Sequence, residues 1–252
     1  MVVPRGLKKL IAESAPVKLG KNGGYKAFKS RESGRVFAGI TKKLHDNLFS
    51  SGYIDFRSGA SERQSKPGWK GNSFKRGRAV DSQVSRLAGA SKARQKSATL
   101  IYSRHVFSAL ERAGLEPVTG QRGVCDETLG LATACDIVCW NDSTKQLVCV
   151  ELKSGFHGDR KLAARDKGKP CMMAKPCHKA EDTTLNRHLA QLAATHSMLN
   201  NEPGIHASLA KFGVESIQGA LLYVDDSATE LHPLPVWWAK RGKAIVDMCA
   251  GR

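Results

Sequence analysis

The sequence lacks an apolar run of the roughly 20 residues that would cross a bilayer. It has no internal repeat, and residues 1–12 are basic without an apolar segment and a cleavage signal behind them. The seven cysteines are an odd number, which does not suit a complete disulfide framework. We therefore expect no membrane partner and an intracellular protein in a reducing compartment such as the cytoplasm or nucleus, with an organelle or a virus-associated protein as alternatives.

Acidic residues are scarce, with 23 Asp plus Glu against 40 Lys plus Arg and a formal net charge of +17. The imbalance lies in residues 1–95, where 21 basic residues face 6 acidic ones, whereas residues 96–252 hold 19 and 17. A polyanion is the natural partner, because neutralised phosphates release their counterions. An anionic membrane surface is the alternative, but no basic amphipathic helix of convincing length supports it. We predict a nucleic acid as the partner.

Two apolar segments near the middle of the chain predict a β-hairpin. Residues 137–140 and 147–150 are apolar throughout, as in strands that are covered on both faces. Residues 141–145 between them are polar and favour a turn.

Three charged residues interrupt this apolar context. If Asn141 lies opposite Gln146, then Asp136 lies opposite Glu151, and like charges that face each other destabilise a sheet. Lys153 shares the face of Glu151, about 7 Å along the strand. The pattern predicts two carboxylates and one ammonium at a single point.

This set of side chains suits phosphodiester hydrolysis. Carboxylates of Asp136 and Glu151 are hard ligands for Mg²⁺, with Mn²⁺ as an acceptable substitute. The ammonium of Lys153 would assist the attacking water or stabilise the developing negative charge. The alternative is a strand-start aspartate followed by a solvated edge-strand pair, which is unusual beside apolar runs.

The motif Asp136, then Glu151-Leu152-Lys153, resembles that of the PD-(D/E)XK nuclease superfamily, with Cys135 in the place of the usual proline. The resemblance implies a restriction-endonuclease-like α/β core in the order αβββαβ, a mixed sheet flanked by helices. It also implies a Mg²⁺-dependent nuclease with no small-molecule cofactor. The RecB-like and phage-exonuclease-like branches remain open.

The same order of elements follows from hydrophobic periodicity and turn residues. We predict helices at 97–113, 184–200 with Thr183 or Asp182 as N-cap, and 237–248, and strands at 116–123, 131–140, 146–153 and 217–224.

Helix residues extend the candidate site. Gln191 matches a glutamine that the RecB-like and phage-exonuclease-like branches carry on the helix after the motif, although Thr195 stands where an aromatic residue is usual. Arg187 lies one turn from Gln191, so the pair could hold the attacking water and a phosphate. Glu111, on the first predicted helix, would supply a third metal-binding carboxylate, as helix acids do in the family. Ordinary solvated helix faces are the alternative.

Basic residues outside the motif are candidates for DNA binding. Lys75, Arg76 and Arg78 lead into a predicted helix at 79–87, where glycine and basic residues at a helix start would suit a phosphate. Lys161 and Arg165 lie in a basic linker that would form a flap over the substrate, or a solvated loop.

The sequence thus predicts a basic extension, 1–95, followed by a nuclease domain, 96–252. The predicted activity is Mg²⁺-dependent hydrolysis of DNA. A non-catalytic nucleic-acid-binding or packaging protein on a nuclease-like scaffold is the alternative. A junction resolvase or transposition nuclease, which would require a homodimer, is a third reading.

Overall fold

The computed structural model describes residues 3–22, 25–50, 73–155, 165–166, 169–225 and 227–252. The strands are β1 (Val17–Asn22), β2 (Tyr25–Ser30), β3 (Val36–Gly39), β4 (Leu115–Asp126), β5 (Leu131–Asn141), β6 (Gln146–Ser154), β7 (Arg165–Asp166), β8 (Lys169–Pro170), β9 (Ser216–Val224) and β10 (Thr229–Pro233). The helices are α1 (Leu7–Glu13), α2 (Ile40–Asn47), α3 (Ser73–Leu87), α4 (Lys92–Lys96), α5 (Ile101–Arg112), α6 (Thr184–Asn200), α7 (Ile205–Ala210), α8 (Val236–Ala239) and α9 (Gly242–Cys249).

The protein is an α/β protein with a mixed, open sheet flanked by helices. The main sheet runs β1-β2-β3-β5-β6-β9-β10, and β4 pairs with β5 outside this path. The β3–β5 and β6–β9 pairs are parallel, and the others are antiparallel. Within the described residues, no helix is long and apolar enough to cross a membrane.

Strand β5 has three partners, and this arrangement creates a gap in the sheet. β4 pairs along β5 from Leu131 to Asn141 and so occupies one edge. On the other edge, β6 pairs with residues 137–141 and β3 pairs with residues 131–132. The segment of β5 between these two partners has an open edge, and Asp136 lies in it.

Helices cover both faces of the sheet because apolar side chains alternate along the central strands. Val138 and Trp140 pack into a core with α1, α2, α6, α7, α8 and α9. Ile137 and Cys139 point to the opposite face and pack with α3 and α5. The predicted hairpin of 131–140 and 146–153 is confirmed as β5 and β6, with the predicted pairing of Asn141 and Gln146.

Helix α6 is confirmed with the predicted bounds. The side chain of Thr183 caps its first turn by accepting a hydrogen bond from the backbone N–H of Asn186 at 3.0 Å. Buried apolar residues of α6, such as Leu189, Leu192 and Leu199, pack into the same core as Val138 and Trp140.

Three predicted helix boundaries were wrong. The first core helix begins at Ile101, because Lys92–Lys96 forms a separate short helix before it. The closing helix is two short helices, which are separated at residues 240–241. Helix α3 begins at Ser73, six residues earlier than predicted, because buried Arg76 continues the face of Val80 and Val84. Strand β10, which pairs with β9, was not predicted.

The described part of residues 1–50 packs on the same sheet as the central strands. β1, β2 and β3 form an antiparallel unit, which joins β5 through β3. Arg122 of β4 links α1 to the segment after α6. Its guanidinium donates to the Ile11 carbonyl at 3.1 Å and to the Glu202 carboxylate at 2.7 and 2.8 Å. Whether residues 1–95 act as a nucleic-acid-binding extension stays a prediction.

Candidate active site

The candidate site lies where β5 and β6 separate. Their backbone pairing ends at Ile137 and Val150, and beyond this point the Leu152 N–H donates to Oδ2 of Asp136 at 2.9 Å. Alternation along β5 also breaks here, since Cys135 packs into the same core as Val138. The irregular backbone holds the Asp136 carboxylate against β6, in the open edge between β6 and β3.

Strand β6 carries the next two residues. Nζ of Lys153 donates to Oε1 of Glu151 at 2.6 Å, and the Glu151 residue is only 2% exposed. The same ammonium donates to Oε1 of Gln191 on α6 at 3.2 Å. The structure therefore brings Glu151, Lys153 and Gln191 into one hydrogen-bonded group beside Asp136.

A third carboxylate comes from α3, and sequence reasoning missed it. Nε2 of Gln121 donates to Oδ1 of Asp81 at 2.7 Å and to Oδ1 of Asp136 at 3.2 Å. Helix α3 approaches β4 closely at Gly120, where an added Cβ would lie 2.5 Å from the Cα of Ser85. The available signal was that Asp81 is the only acidic residue between positions 63 and 110.

The electrostatics of the site follow from burial and from crowded negative charge. Burial raises the pKa of Asp136 well above its usual value, and the charges of Glu151 and Asp81 raise it further. Burial alone would lower the pKa of Lys153, but Glu151 and Asp136 outweigh it, so the pKa is raised. Lys153 is thus held as an ammonium, whereas ionisation of Asp136 is less favourable than for an exposed aspartate.

The parallel partner of β6 extends the site. Tyr223 of β9 is in register with Lys153, and its hydroxyl lies 2.8 Å from Nδ1 of His188 on α6. Consecutive turns of α6 therefore reach two neighbouring strands, through His188 and Gln191. Tyr223 is buried, with 3% of the residue exposed, next to Lys153 on the neighbouring strand.

Two predicted site residues lie in other surroundings. Arg187 is bound to Asp182, with Nε 2.6 Å from Oδ1, and its guanidinium lies 4.9 Å from the centre of the Phe49 ring. Glu111 accepts a hydrogen bond from Lys92 at 3.1 Å. It precedes the start of β4, which pairs with the far end of β5, so the structure does not bring Glu111 to Asp136.

The basic candidates divide into exposed and buried residues. Lys75 and Arg78 lie on the exposed face of α3, one or two turns before Asp81. Arg76 is buried, donates to the Gly155 carbonyl at 3.2 Å and lies over the Tyr102 ring. Because α3 begins at Ser73, these residues do not form the predicted helix start.

Two linker candidates remain predictions. Lys161 lies outside the described residues, and of Arg165 only the backbone, in β7, is described. The site assignment therefore depends on the central strands, α3 and α6.

The chain matches no protein-family model and no curated protein. Within the described parts of the chain, no group of three or more His, Cys, Asp or Glu side chains is arranged to hold a metal ion. The chemistry of the site is therefore inferred from its own residues.

Proposed function

We propose that this protein is a metal-dependent nuclease of the PD-(D/E)XK type, which hydrolyses phosphodiester bonds of DNA. The observation that carries the proposal is the convergence of Asp136, Glu151 and Lys153 where β5 and β6 separate, with Gln191 bound to the lysine. The element order α5, β4, β5, β6, α6 and β9 supports it, because it repeats the αβββαβ order expected for such a core.

The donor set fits a hard divalent cation such as Mg²⁺ or Mn²⁺. Asp136 and Glu151 provide carboxylate oxygens, and Asp81 adds a third negative group bridged to Asp136 by Gln121. Burial, followed by the charges of Glu151 and Asp81, raises the pKa of Asp136, so a bound cation would favour its ionised form. Magnesium sites commonly use only one or two protein carboxylates and leave the remaining positions to water and substrate phosphate.

A bound Mg²⁺ would supply Lewis-acid chemistry, by offsetting charge on the phosphoryl oxygens and by acidifying water. Lys153 contributes a fixed ammonium next to the same carboxylates, which would stabilise negative charge that develops on the phosphoryl group. Its hydrogen bonds to Glu151 and Gln191 set the position of Nζ. Leu152 and Gln121 orient Asp136 by donating to its two oxygens.

DNA as substrate is supported by the distribution of charge. Lys75 and Arg78 are exposed on α3, the helix that also carries Asp81 into the site. Basic residues beside a nuclease site would contact phosphates on either side of the scissile bond and give salt-dependent binding.

The proposal is tested by cleavage of labelled linear, circular and single-stranded DNA in Mg²⁺, in Mn²⁺ or in EDTA. We expect cleavage with either metal and none in EDTA. Asp136→Asn should lower the rate by at least about 10²-fold, because it removes one metal-binding carboxylate. Asp142→Asn changes an aspartate in the turn of the same hairpin and should leave the rate unchanged.

The circular substrate separates endonuclease from exonuclease action. Cleavage by Asp136→Asn at the wild-type rate would contradict the site assignment. Salt-dependent DNA binding without cleavage of any substrate by the wild-type protein would instead favour the non-catalytic scaffold.

A further inference from the structure

The β1–β2 hairpin places lysine opposite lysine. In its register Lys18 pairs with Lys29 and Lys21 pairs with Lys26, and no acidic residue occurs between positions 17 and 30. Like charges on directly opposed residues destabilise an antiparallel pair. The hairpin therefore contains an unfavourable arrangement that an external polyanion would relieve.

The Lys18/Lys29 pair faces solvent. Lys18 and Lys29 are both exposed, and neither forms an ion pair with a described acidic residue. Gly20 and Ala27 form the next pair on the same face, and an added Cβ at Gly20 would meet nothing within 4 Å. The face is thus a flat surface of small residues with an ammonium on each strand.

The other face anchors the hairpin to the protein. Val17 is buried in a small core with Phe37, Cys125 and Ala132, and Phe28 packs against this core. The lysine-bearing surface is therefore carried on a fixed element.

Edge protection does not account for these lysines. Lysine on an edge strand can prevent pairing with other chains, and β1 is the edge of the sheet. However, Lys29 lies on β2, which pairs with β1 on one side and β3 on the other. A bilayer is also a poor match, because Gly20 and Ala27 offer little apolar surface for insertion.

The hairpin is carried by β3, which pairs with the same edge of β5 that holds Asp136. β3 joins β5 at Leu131 and Ala132, four residues before Asp136, and Lys29 pairs with Val36 of β3. In addition, β1 packs closely against β4: an added Cβ at Gly123 would lie 2.3 Å from the Val17 carbonyl oxygen. Gly123 pairs with Ala134 of β5, so the hairpin lies beside the segment that carries Asp136.

We propose that the Lys18/Lys29 face of the β1–β2 hairpin binds the phosphate backbone of duplex DNA that extends from the active site. The position of the duplex rests on the proposed nuclease function. The binding of duplex DNA by this face does not, so the two can be tested separately.

The test is equilibrium binding of the full chain to a labelled 20-base-pair duplex in EDTA, over a range of salt concentrations. The double variant Lys18→Gln/Lys29→Gln removes two phosphate contacts, so the slope of log K against log salt should become shallower by about 1.8. The control Lys145→Gln/Lys211→Gln removes two charges at the opposite end of the sheet, and its slope should equal that of the wild type. A melting temperature equal to or above the wild-type value would show that the hairpin variant is folded.

An unchanged slope in a folded hairpin variant would overturn the inference, even if the protein cleaves DNA. The inference would also be overturned if the slope became equally shallow in the hairpin and control variants, because that result would reflect only the lower net charge. A shallower slope in the hairpin variant alone would support it, even if no cleavage is found and the proposed function fails. Loss of binding to phosphatidylserine vesicles with an unchanged DNA slope would assign the face to a lipid surface instead.

Discussion

Replacing Asp136 by asparagine should change how the stability of the metal-free protein depends on pH. Burial raises the pKa of this carboxyl group first, and the charges of Glu151 and Asp81 add to the effect. The folded protein therefore keeps a proton that the unfolded chain releases at lower pH. Ionisation of Asp136 opposes folding unless a cation compensates for it.

The sign and size follow from proton linkage. Above the usual aspartate pKa of about 3.9, the folded state binds more protons at this group than the unfolded state. Stability then falls by up to about 1.4 kcal/mol per pH unit, until Asp136 ionises in the folded protein. For a chain of this size, that is about 3–5 °C of melting temperature per pH unit. Asp136→Asn has no such proton to lose.

The assay is thermal unfolding of both proteins in EDTA between pH 4.5 and 8. The melting temperature of Asp136→Asn minus that of the wild type should increase as the pH rises. A lost or altered hydrogen bond to Gln121 would shift the melting temperature of the variant by the same amount at every pH, so the difference from the wild type would not increase with pH. Asp142→Asn, in the exposed turn, is the control and should run parallel to the wild type. Parallel curves for Asp136→Asn as well would refute the reasoning.

Three further changes test other contacts. Gln191→Leu removes an acceptor for Lys153 and should lower the single-turnover cleavage rate about 10- to 100-fold, with DNA binding unchanged. A change in DNA binding alone would contradict the role of Gln191 in positioning Lys153. Arg122→Met leaves the buried Glu202 carboxylate without its ion-pair partner and should lower the free energy of unfolding in urea by about 3–5 kcal/mol; a loss below 1 kcal/mol would argue against this ion pair. Asp81→Asn should weaken Mn²⁺ binding in calorimetry, and equal affinity would exclude the carboxylate from the metal environment.

The central hairpin could be predicted because its signals are local. The polar turn at 141–145 and the apolar runs on either side determine the register, and alternation then puts Glu151 and Lys153 on one face. Helix α6 was equally accessible, since its spacing of apolar residues and the capping Thr183 lie within one segment.

The remaining parts depend on long-range packing. Asp81 reaches the site because α3 lies against β4 at Gly120, and Gln121 then bridges the two carboxylates. The sequence contains no local sign of that contact. The sequence predicts that Arg187 holds a phosphate, but in the structure Arg187 forms an ion pair with Asp182, five residues earlier.

The pairing of β3 with β5 also depends on long-range packing. Parallel pairing links segments almost 100 residues apart, and a four-residue strand carries little periodicity of its own. Consequently the open edge between β3 and β6, in which Asp136 lies, could be recognised only in the folded structure.

The most direct measurement of the central claim is the Mg²⁺-dependent single-turnover cleavage rate of duplex DNA by Lys153→Met, compared with Lys145→Met. Both variants lose one lysine from strand β6 or its turn, at sites about 27 Å apart along the strand. The account predicts that Lys153→Met loses at least about 10²-fold in rate while Lys145→Met matches the wild type. Equal rates for the two variants would contradict the assignment of Lys153 and its neighbours as the catalytic centre.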